Sequence, residues 1–186
     1  MVTKNLVLYS SVTGNTEKVA KRIAKVLKGK GHDVAFVRVD EKTDVDLLAY
    51  DLVFLGSAVH QWLPTKMLMN YVKRVLKRYF RSGVIVPSSP IRPGKHAVCF
   101  CTYSGPHTGL SEAVPATGWM RAFLEHLGFI VLEEWHTVGE FKNSEENSTI
   151  GRWGNIKGRP NEHDLAEIEG RAIGILNALK LYKDEP

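Results

Sequence analysis

The sequence predicts an α/β protein, a doubly wound parallel sheet with helices on both faces. Short apolar runs of four to six residues alternate with helix-type patterns along the chain of 186 residues. Such runs indicate buried strands joined by crossover helices, which together cover both faces of a parallel sheet. Internal repeats, low-complexity segments and linker-like stretches are absent from the sequence. One domain over residues 1–186 is therefore expected.

Five strands and four helices are predicted along this chain. The strands are expected at residues 6–9, 34–39, 52–55, 97–102 and 129–132. The helices are expected to begin near Asn15, Thr65, Thr117 and Asn161. The first helix carries an amphipathic apolar stripe at positions 19, 20, 23, 24, 26 and 27. Asn161 and Asp164 have the spacing of a capping box, so they are expected to start the C-terminal helix.

The turn between the first strand and the first helix is rich in hydroxyl groups. Ser10, Ser11, Thr13 and Thr16 supply hydroxyls, and Asn15 supplies an amide. A strand that turns directly into a helix aims unpaired N–H groups at one point, and that point attracts a phosphate. No Lys or Arg lies within the turn, so the expected phosphate site uses neutral donors and the helix dipole. A capped helix that binds nothing is the alternative interpretation.

The sequence of this turn does not match the motifs of two common phosphate loops. The sequence has neither G-x-x-x-x-G-K-[ST] nor G-x-G-x-x-G. Residues 11–16 instead resemble the FMN-phosphate loop of the flavodoxin family, [ST]-x-T-G-x-T. The resemblance implies a flavodoxin-like five-stranded sheet of order 2-1-3-4-5 and FMN as the cofactor. It also implies a phosphate held by the side chains of Ser11, Thr13, Asn15 and Thr16 and by the backbone of Val12 and Gly14.

Two further loops are expected beside the phosphate loop, because ligands of such sheets lie at the carboxyl ends of the strands. The loop after the third strand carries Trp62, and the loop after the fourth carries Tyr103 and two glycines. The resemblance implies an isoalloxazine ring between these loops, with Trp62 and Tyr103 as flanks and Gln61 near its polar edge. Packing of Trp62 on the following helix is the alternative. The residues expected there are Ser57, Ala58, Val59, His60, Gln61, Trp62, Thr102, Tyr103, Ser104, Gly105, His107, Thr108 and Gly109.

The middle third of the chain is basic. The net charge is +5, and residues 52–111 contain no Asp or Glu but eight Lys or Arg. This charge predicts an anionic partner, either a redox protein or NAD(P)H, and a homo-oligomer stays open. Loops 56–62 and 102–109 lack carboxylates, so a bound flavin is expected to have a semiquinone/hydroquinone potential higher than that of acidic carrier flavodoxins.

The function favoured by these features is that of an FMN-binding redox protein that transfers electrons. An NAD(P)H-dependent quinone or flavin oxidoreductase of the same superfamily is the first alternative. A flavin-free module that binds nucleic acid through its basic face is a third and less favoured class, since few aromatic residues interleave with the cations. No nucleophile–base–orienter triad is recognisable, so catalytic residues stay unassigned and no metal is expected.

The remaining composition predicts a cytoplasmic protein. No apolar run reaches the roughly 18 residues of a membrane span, and no signal peptide is recognisable. Cys99 and Cys101 alternate in a strand-like run, so buried thiols are expected rather than a disulfide framework. Residues 141–161 show no periodicity and are expected to form a long loop that is either functional or ordered by a partner.

Overall fold

The computed structural model describes residues 4–183, in which strands and helices alternate. The strands are β1 Lys4–Ser10, β2 Asp33–Arg38, β3 Leu52–His60, β4 Leu63–Pro64, β5 His96–Tyr103 and β6 Ile130–Val138. The α-helices are α1 Asn15–Gly29, α2 Lys66–Arg81, α3 Val114–His126, α4 Glu145–Thr149 and α5 Glu162–Lys183.

The sheet has the predicted topology. Its hydrogen-bonded order is β2-β1-β3-β5-β6, and each of these pairs is parallel. Counted along the chain, these five strands have the order 2-1-3-4-5. The short strand β4 lies outside this path, antiparallel to the end of β3. The reversal of strand order between β1 and β3 brings the loops after β1, β3 and β5 to one edge.

Two apolar layers enclose the sheet. Leu6 and Leu8 of β1 point to the layer formed by α2 and α3, whereas Val7 points to the layer formed by α1 and α5. Alternate residues of a strand face opposite sides, and both sides are covered, so β1 has no polar face. Tyr71 of α2 and Trp135 of β6 are among the largest fully buried side chains of the two layers.

The ends of the helices mostly match the sequence signals. Asn161 Oδ1 accepts from the N–H groups of His163 and Asp164, and Asp164 Oδ2 accepts from Asn161 N at 2.9 Å. The predicted capping box of α5 is therefore confirmed. The predicted start of α3 near Thr117 is wrong, because the helix begins at Val114 with a proline in its first turn. Proline is tolerated there since the first-turn N–H groups have no intrahelical partner.

The stretch 141–161 is more ordered than its lack of periodicity predicts. Ser144 caps the short helix α4 by accepting from Asn147 N at 3.2 Å. Ser148 is buried and bonds both backbone groups of Phe141. Polar side chains bonded to nearby backbone hold this stretch, and such bonds leave no hydrophobic period in a sequence.

Cys99 and Cys101 are both buried in β5 as free thiols, which confirms the expectation. Burial raises the pKa of both thiols well above the usual range of cysteine.

Candidate functional site

A cavity of about 430 Å³ lies at the carboxyl ends of β1, β3 and β5. The β1–α1 turn, the β3–β4 hairpin and the loop after β5 border it on three sides. The segment after β6 forms a fourth wall. The predicted site residues that line it are Val12, Thr13, Asn15, Ala58, Val59, His60, Gln61, Trp62, Thr102, Tyr103, Ser104, Gly105 and His107.

Other predicted site residues are not among those that line the cavity: Ser10, Ser11, Gly14, Thr16, Ser57, Thr108 and Gly109. Two of them hold α2 in place. Ser10 Oγ accepts from Thr65 Oγ1 at 2.7 Å, and Ser57 Oγ accepts from Thr65 N at 3.0 Å. Because Thr65 also caps α2, the two serines join β1 and β3 to the start of that helix. Thr65 is thus a supporting residue that sequence reasoning assigned only as a helix start.

The β1–α1 turn is closed by its own hydrogen bonds. Gly14 adopts a left-handed conformation with φ of 94°, which a side chain would disfavour. Its N–H donates to Ser11 Oγ at 3.2 Å, and Thr16 Oγ1 shares a buried 2.8 Å hydrogen bond with Thr102 Oγ1. The hydroxyls of Ser11 and Thr16 therefore shape the turn, while Thr13 lines the cavity.

Asn15 presents an acceptor to this cavity. Its side chain is 7% exposed, and its Nδ2 donates to the carbonyl of Glu140 at 3.0 Å. Within residues 4–183, Asn15 Oδ1 is buried without a hydrogen-bond partner. A buried acceptor without a donor costs free energy, so it marks a place where a ligand can donate a hydrogen bond.

The β3–β4 hairpin places Trp62 in the lining of the cavity. Gln61 and Trp62 form its two-residue turn with φ of 49° and 65°, values that both lie in the left-handed region. The Trp62 side chain is 61% exposed, which excludes its burial against α2 in this structure. β3 extends five residues beyond its predicted end at Leu55, so the predicted loop is largely strand.

The loop after β5 differs from the expected stacking face. Tyr103 is only 6% exposed, and its ring meets Trp153 edge-on with centroids 6.3 Å apart. Burial raises the pKa of Tyr103 to about 12. The N–H groups of His107 and Thr108 both donate to Glu112 Oε1, at 2.9 and 2.7 Å. Tyr103 therefore supports the loop from beneath, and a glutamate fixes its tip.

The wall contributed by the segment after β6 was not predicted. It supplies Gly139, Glu140, Phe141, Lys142, Asn143 and Asn147 to the cavity. A Cβ on Gly139 would lie 2.8 Å from Asn15 Nδ2, so the backbone there approaches the β1–α1 turn closely. No motif marks these residues, and only the unusual length of the aperiodic stretch hinted at a role.

The charges around the cavity come partly from outside the three predicted loops. Glu112 and Glu140 line it beside Lys142. At the β1–α1 turn, Arg38 Nη2 at the end of β2 donates to the carbonyl of Ser11 at 3.0 Å. Sequence reasoning missed these residues because chain neighbours of a loop are not its only neighbours in space.

Neither a membrane-spanning helix nor a cluster of metal ligands is found in the described part of the chain. No helix in residues 4–183 is long and apolar enough to cross a membrane. In the same part of the chain, no group of three or more His, Cys, Asp or Glu side chains is placed to hold a metal ion.

Part of the chain matches the model of a known protein family. Residues 6–97 match a family model described as a flavodoxin domain. An uncharacterized protein of Methanocaldococcus jannaschii is 27% identical over 181 residues, which cover 93% of this chain and 98% of that protein.

Solved structures extend the likeness to the whole chain at the level of fold. Oxidised flavodoxin 2 from Bacillus cereus is similar with a TM-score of 0.65 and 19% identity, over 94% of this chain and 99% of that chain. Rubredoxin oxygen:oxidoreductase from Desulfovibrio gigas is similar with a TM-score of 0.60 and 16% identity, over 98% of this chain and 37% of that one.

Proposed function

Because the chain is a flavodoxin-like protein, we propose that it binds FMN in the cavity at the carboxyl edge and works as an electron-transfer protein. One observation carries the proposal. The turn that resembles the FMN-phosphate loop opens into the same cavity as the exposed Trp62 hairpin. A phosphate site and an aromatic flank therefore border one space.

The residues of the β1–α1 turn suit the two polar parts of FMN. Its phosphate needs donors, which the N–H groups at the start of α1 and the Thr13 hydroxyl provide. Its ribityl chain carries hydroxyls, which are donors. Asn15 Oδ1 is an acceptor in need of a donor, so in this proposal Asn15 binds a ribityl hydroxyl rather than the phosphate.

The residues of the hairpin and of the loop after β5 would orient the ring. Trp62 covers one face, and the backbone around Ala58 and Ser104 borders the cavity where polar ring atoms need partners. Bound FMN would supply the redox chemistry, and the protein supplies position and electrostatics. Phe141 also lines the cavity and is more exposed than Tyr103, so it offers a second apolar flank.

An FMN titration tests the proposal. We expect saturable quenching of FMN fluorescence, weaker binding of riboflavin because it lacks the phosphate, and partial recovery of emission in Trp62→Ala. Phe80→Ala is the matched control, since Phe80 is also exposed but lies at the far end of α2. No saturable binding of FMN would contradict the proposal.

An NAD(P)H-dependent quinone or flavin oxidoreductase is the second candidate. The wall after β6 favours it, because Lys142 and Phe141 add a cation and an aromatic ring beyond the three flavin loops. Such a pair suits the phosphate and the ring of a nucleotide. NAD(P)H oxidation with a quinone acceptor by the FMN-loaded protein would support this candidate. Reduction by a protein donor alone would favour the carrier.

A further inference from the structure

One side of helix α2 carries four exposed cations, and the helix contains no acid to pair them. Lys66, Lys73, Lys77 and Arg81 are exposed, and their spacing of seven, four and four residues places them along one side of the helix. We call these four residues the α2 cationic face. In residues 4–183, the ion pairs involve other cations.

The other long surface helices pair their charges internally. Glu17 and Lys21 of α1 are 2.6 Å apart, and Glu167 and Arg171 of α5 are 3.4 Å apart, each at the favourable i,i+4 spacing. Helix α2 has no acid in its 16 residues. Like charges at i,i+4, such as Lys73 and Lys77, destabilise a helix. Lys73 and Lys77 therefore repel each other, and α2 contains no acid to relieve this repulsion.

The cationic face begins at the rim of the candidate FMN site. Lys66 follows the β3–β4 hairpin directly, four residues after Trp62. From there α2 extends about 24 Å, at 1.5 Å per residue. Trp62 and Leu63 are exposed at the start of the face, and Phe80 is exposed at its end. Exposed apolar side chains thus flank the cationic face in the chain at both ends, and one of them, Trp62, also lines the cavity.

We propose that the α2 cationic face docks an acidic one-electron carrier protein that donates electrons to the flavin, an inference that rests on the proposed function. With FMN bound, the partner would give up one electron at each encounter, so the partner would be oxidised as the flavin is reduced. An acidic surface complements the four cations, and its apolar part covers Trp62 and Leu63. A protein fits better than a nucleic acid duplex because the phosphates on the outside of a duplex offer nothing apolar for these two side chains.

Docking at the α2 cationic face is tested with two double variants that change the net charge by the same amount. Lys73→Glu/Lys77→Glu alters it, and Lys25→Glu/Lys28→Glu on α1 is the matched control. The control pair is also exposed, and α1 lies on the opposite side of the sheet. Each FMN-loaded protein is reduced in a stopped-flow instrument by a reduced acidic plant-type [2Fe–2S] ferredoxin and, separately, by dithionite. Circular dichroism checks the folding of both variants.

The expected result is a rate constant with ferredoxin about tenfold or more lower in the α2 variant at low salt, the lower end of electrostatic steering effects. In the control variant, the rate constant with ferredoxin should change by about threefold at most. With dithionite, the rate constants of the α2 variant and of the control variant should be the same. For the parent protein, the ferredoxin rate should fall as salt rises. Equal losses in both variants, or a salt-independent rate, would overturn the proposal.

Binding of oxidised ferredoxin, measured by calorimetry, gives a readout that needs no flavin chemistry. Weaker binding in the α2 variant than in the control variant supports the docking face even if the protein takes up no FMN, in which case only the proposed function fails. If a 20-base-pair DNA duplex at 0.15 M salt binds the parent more tightly than ferredoxin does, and the α2 variant loses that binding, nucleic acid is the occupant and the proposal is wrong.

Discussion

Asn15 links the β1–α1 turn to the segment after β6. Its Nδ2 bonds the carbonyl of Glu140, 125 residues away in the chain, while its Oδ1 stays without a donor in the described part of the protein. Removing an unsatisfied buried acceptor relieves a desolvation cost, whereas losing the Nδ2 bond adds one. The two effects oppose each other in the free protein but not in the complex.

The first prediction concerns this asparagine. Asn15→Ala should change the free energy of unfolding by no more than about 1 kcal/mol, yet raise the Kd for FMN roughly 5- to 50-fold through the lost ligand hydrogen bond. Asn70→Ala, at an exposed position of α2, is the control and should change neither. Urea unfolding and FMN titration measure the two quantities. An unaltered Kd in Asn15→Ala would remove this residue from the site.

The second prediction concerns Cys99 and Cys101. The thiolate is the reactive form, and burial raises the pKa of both thiols far above their usual range. The native protein should therefore not react with a disulfide reagent such as DTNB at pH 8 within minutes. After unfolding in urea, both thiols should react, which calibrates the assay. Rapid labelling of the native protein would show that β5 opens readily.

At the scale of single elements, the start of α5 depends on one carboxylate. Asp164 accepts from Asn161 N at 2.9 Å and from Arg159 Nε at 3.1 Å, and it is buried. Burial acts to raise the pKa of Asp164, but the hydrogen bonds from Arg159 and from the Asn161 backbone outweigh it and lower that pKa. The folded state therefore binds this proton less readily than the unfolded state.

The third prediction follows from the lowered pKa of Asp164 in the folded state. Asp164 contributes stability above its unfolded pKa, about 4, and this contribution is lost as the pH falls through the lower folded pKa. Asp164→Asn should lower the free energy of unfolding by about 2 kcal/mol at pH 7, because the helix cap and the hydrogen bonds to Arg159 are weakened. The decrease should be smaller below pH 4. Asp44→Asn, which removes an exposed pair with Arg78, should cost under about 1 kcal/mol. Urea unfolding at several pH values measures both, and a pH-independent difference would contradict the assignment.

The β3–β4 hairpin stores strain beside the cavity. Gln61 and Trp62 both have positive φ, and a residue with a Cβ is held there at a cost of about 1–2 kcal/mol. Such strain at a candidate site fits a turn selected for the side chain it presents rather than for stability.

The fourth prediction is that Gln61→Gly raises the free energy of unfolding by up to about 1 kcal/mol, since glycine adopts this φ without a Cβ clash. Lys73→Gly, at an exposed interior position of α2, should instead lower it by about 1 kcal/mol, as glycine does in helix interiors. Thermal or urea unfolding distinguishes the two. Destabilisation by Gln61→Gly would mean that its side chain makes contacts that outweigh the strain.

At the scale of the whole molecule, the cavity is assembled from distant parts of the chain. The β1–α1 turn touches the wall after β6, and that wall is in turn bonded to the residues before α5, because Glu140 N donates to Arg159 O at 2.9 Å. A ligand bound in the cavity would therefore order segments from both halves of the sequence.

The fifth prediction tests this assembly by hydrogen–deuterium exchange. FMN should slow exchange in residues 12–16, 58–62, 103–107 and 140–147 together, because they border one cavity. Peptides from residues 83–93, at the opposite edge of the sheet, are the internal control and should not change. Protection confined to the first of these segments would show that the other walls do not contact the ligand.

The sequence by itself determined the local elements and the topology. The apolar run of β1, the stripe of α1, the glycine of the turn and the capping box of α5 are short-range signals, and each formed where it was predicted. Parallel strands joined by helices, together with the phosphate-loop resemblance, were enough for the strand order.

Only the tertiary structure decided which side chains face the cavity. Thr16 bonds Thr102 across 86 residues, Glu112 and Glu140 enter the cavity, and Tyr103 lies beneath Trp153. These contacts leave no period or motif in the sequence, because they depend on how distant loops pack once the sheet has formed. Backbone geometry is set by neighbours in the chain, whereas the exposure and partners of a side chain are set by neighbours in space.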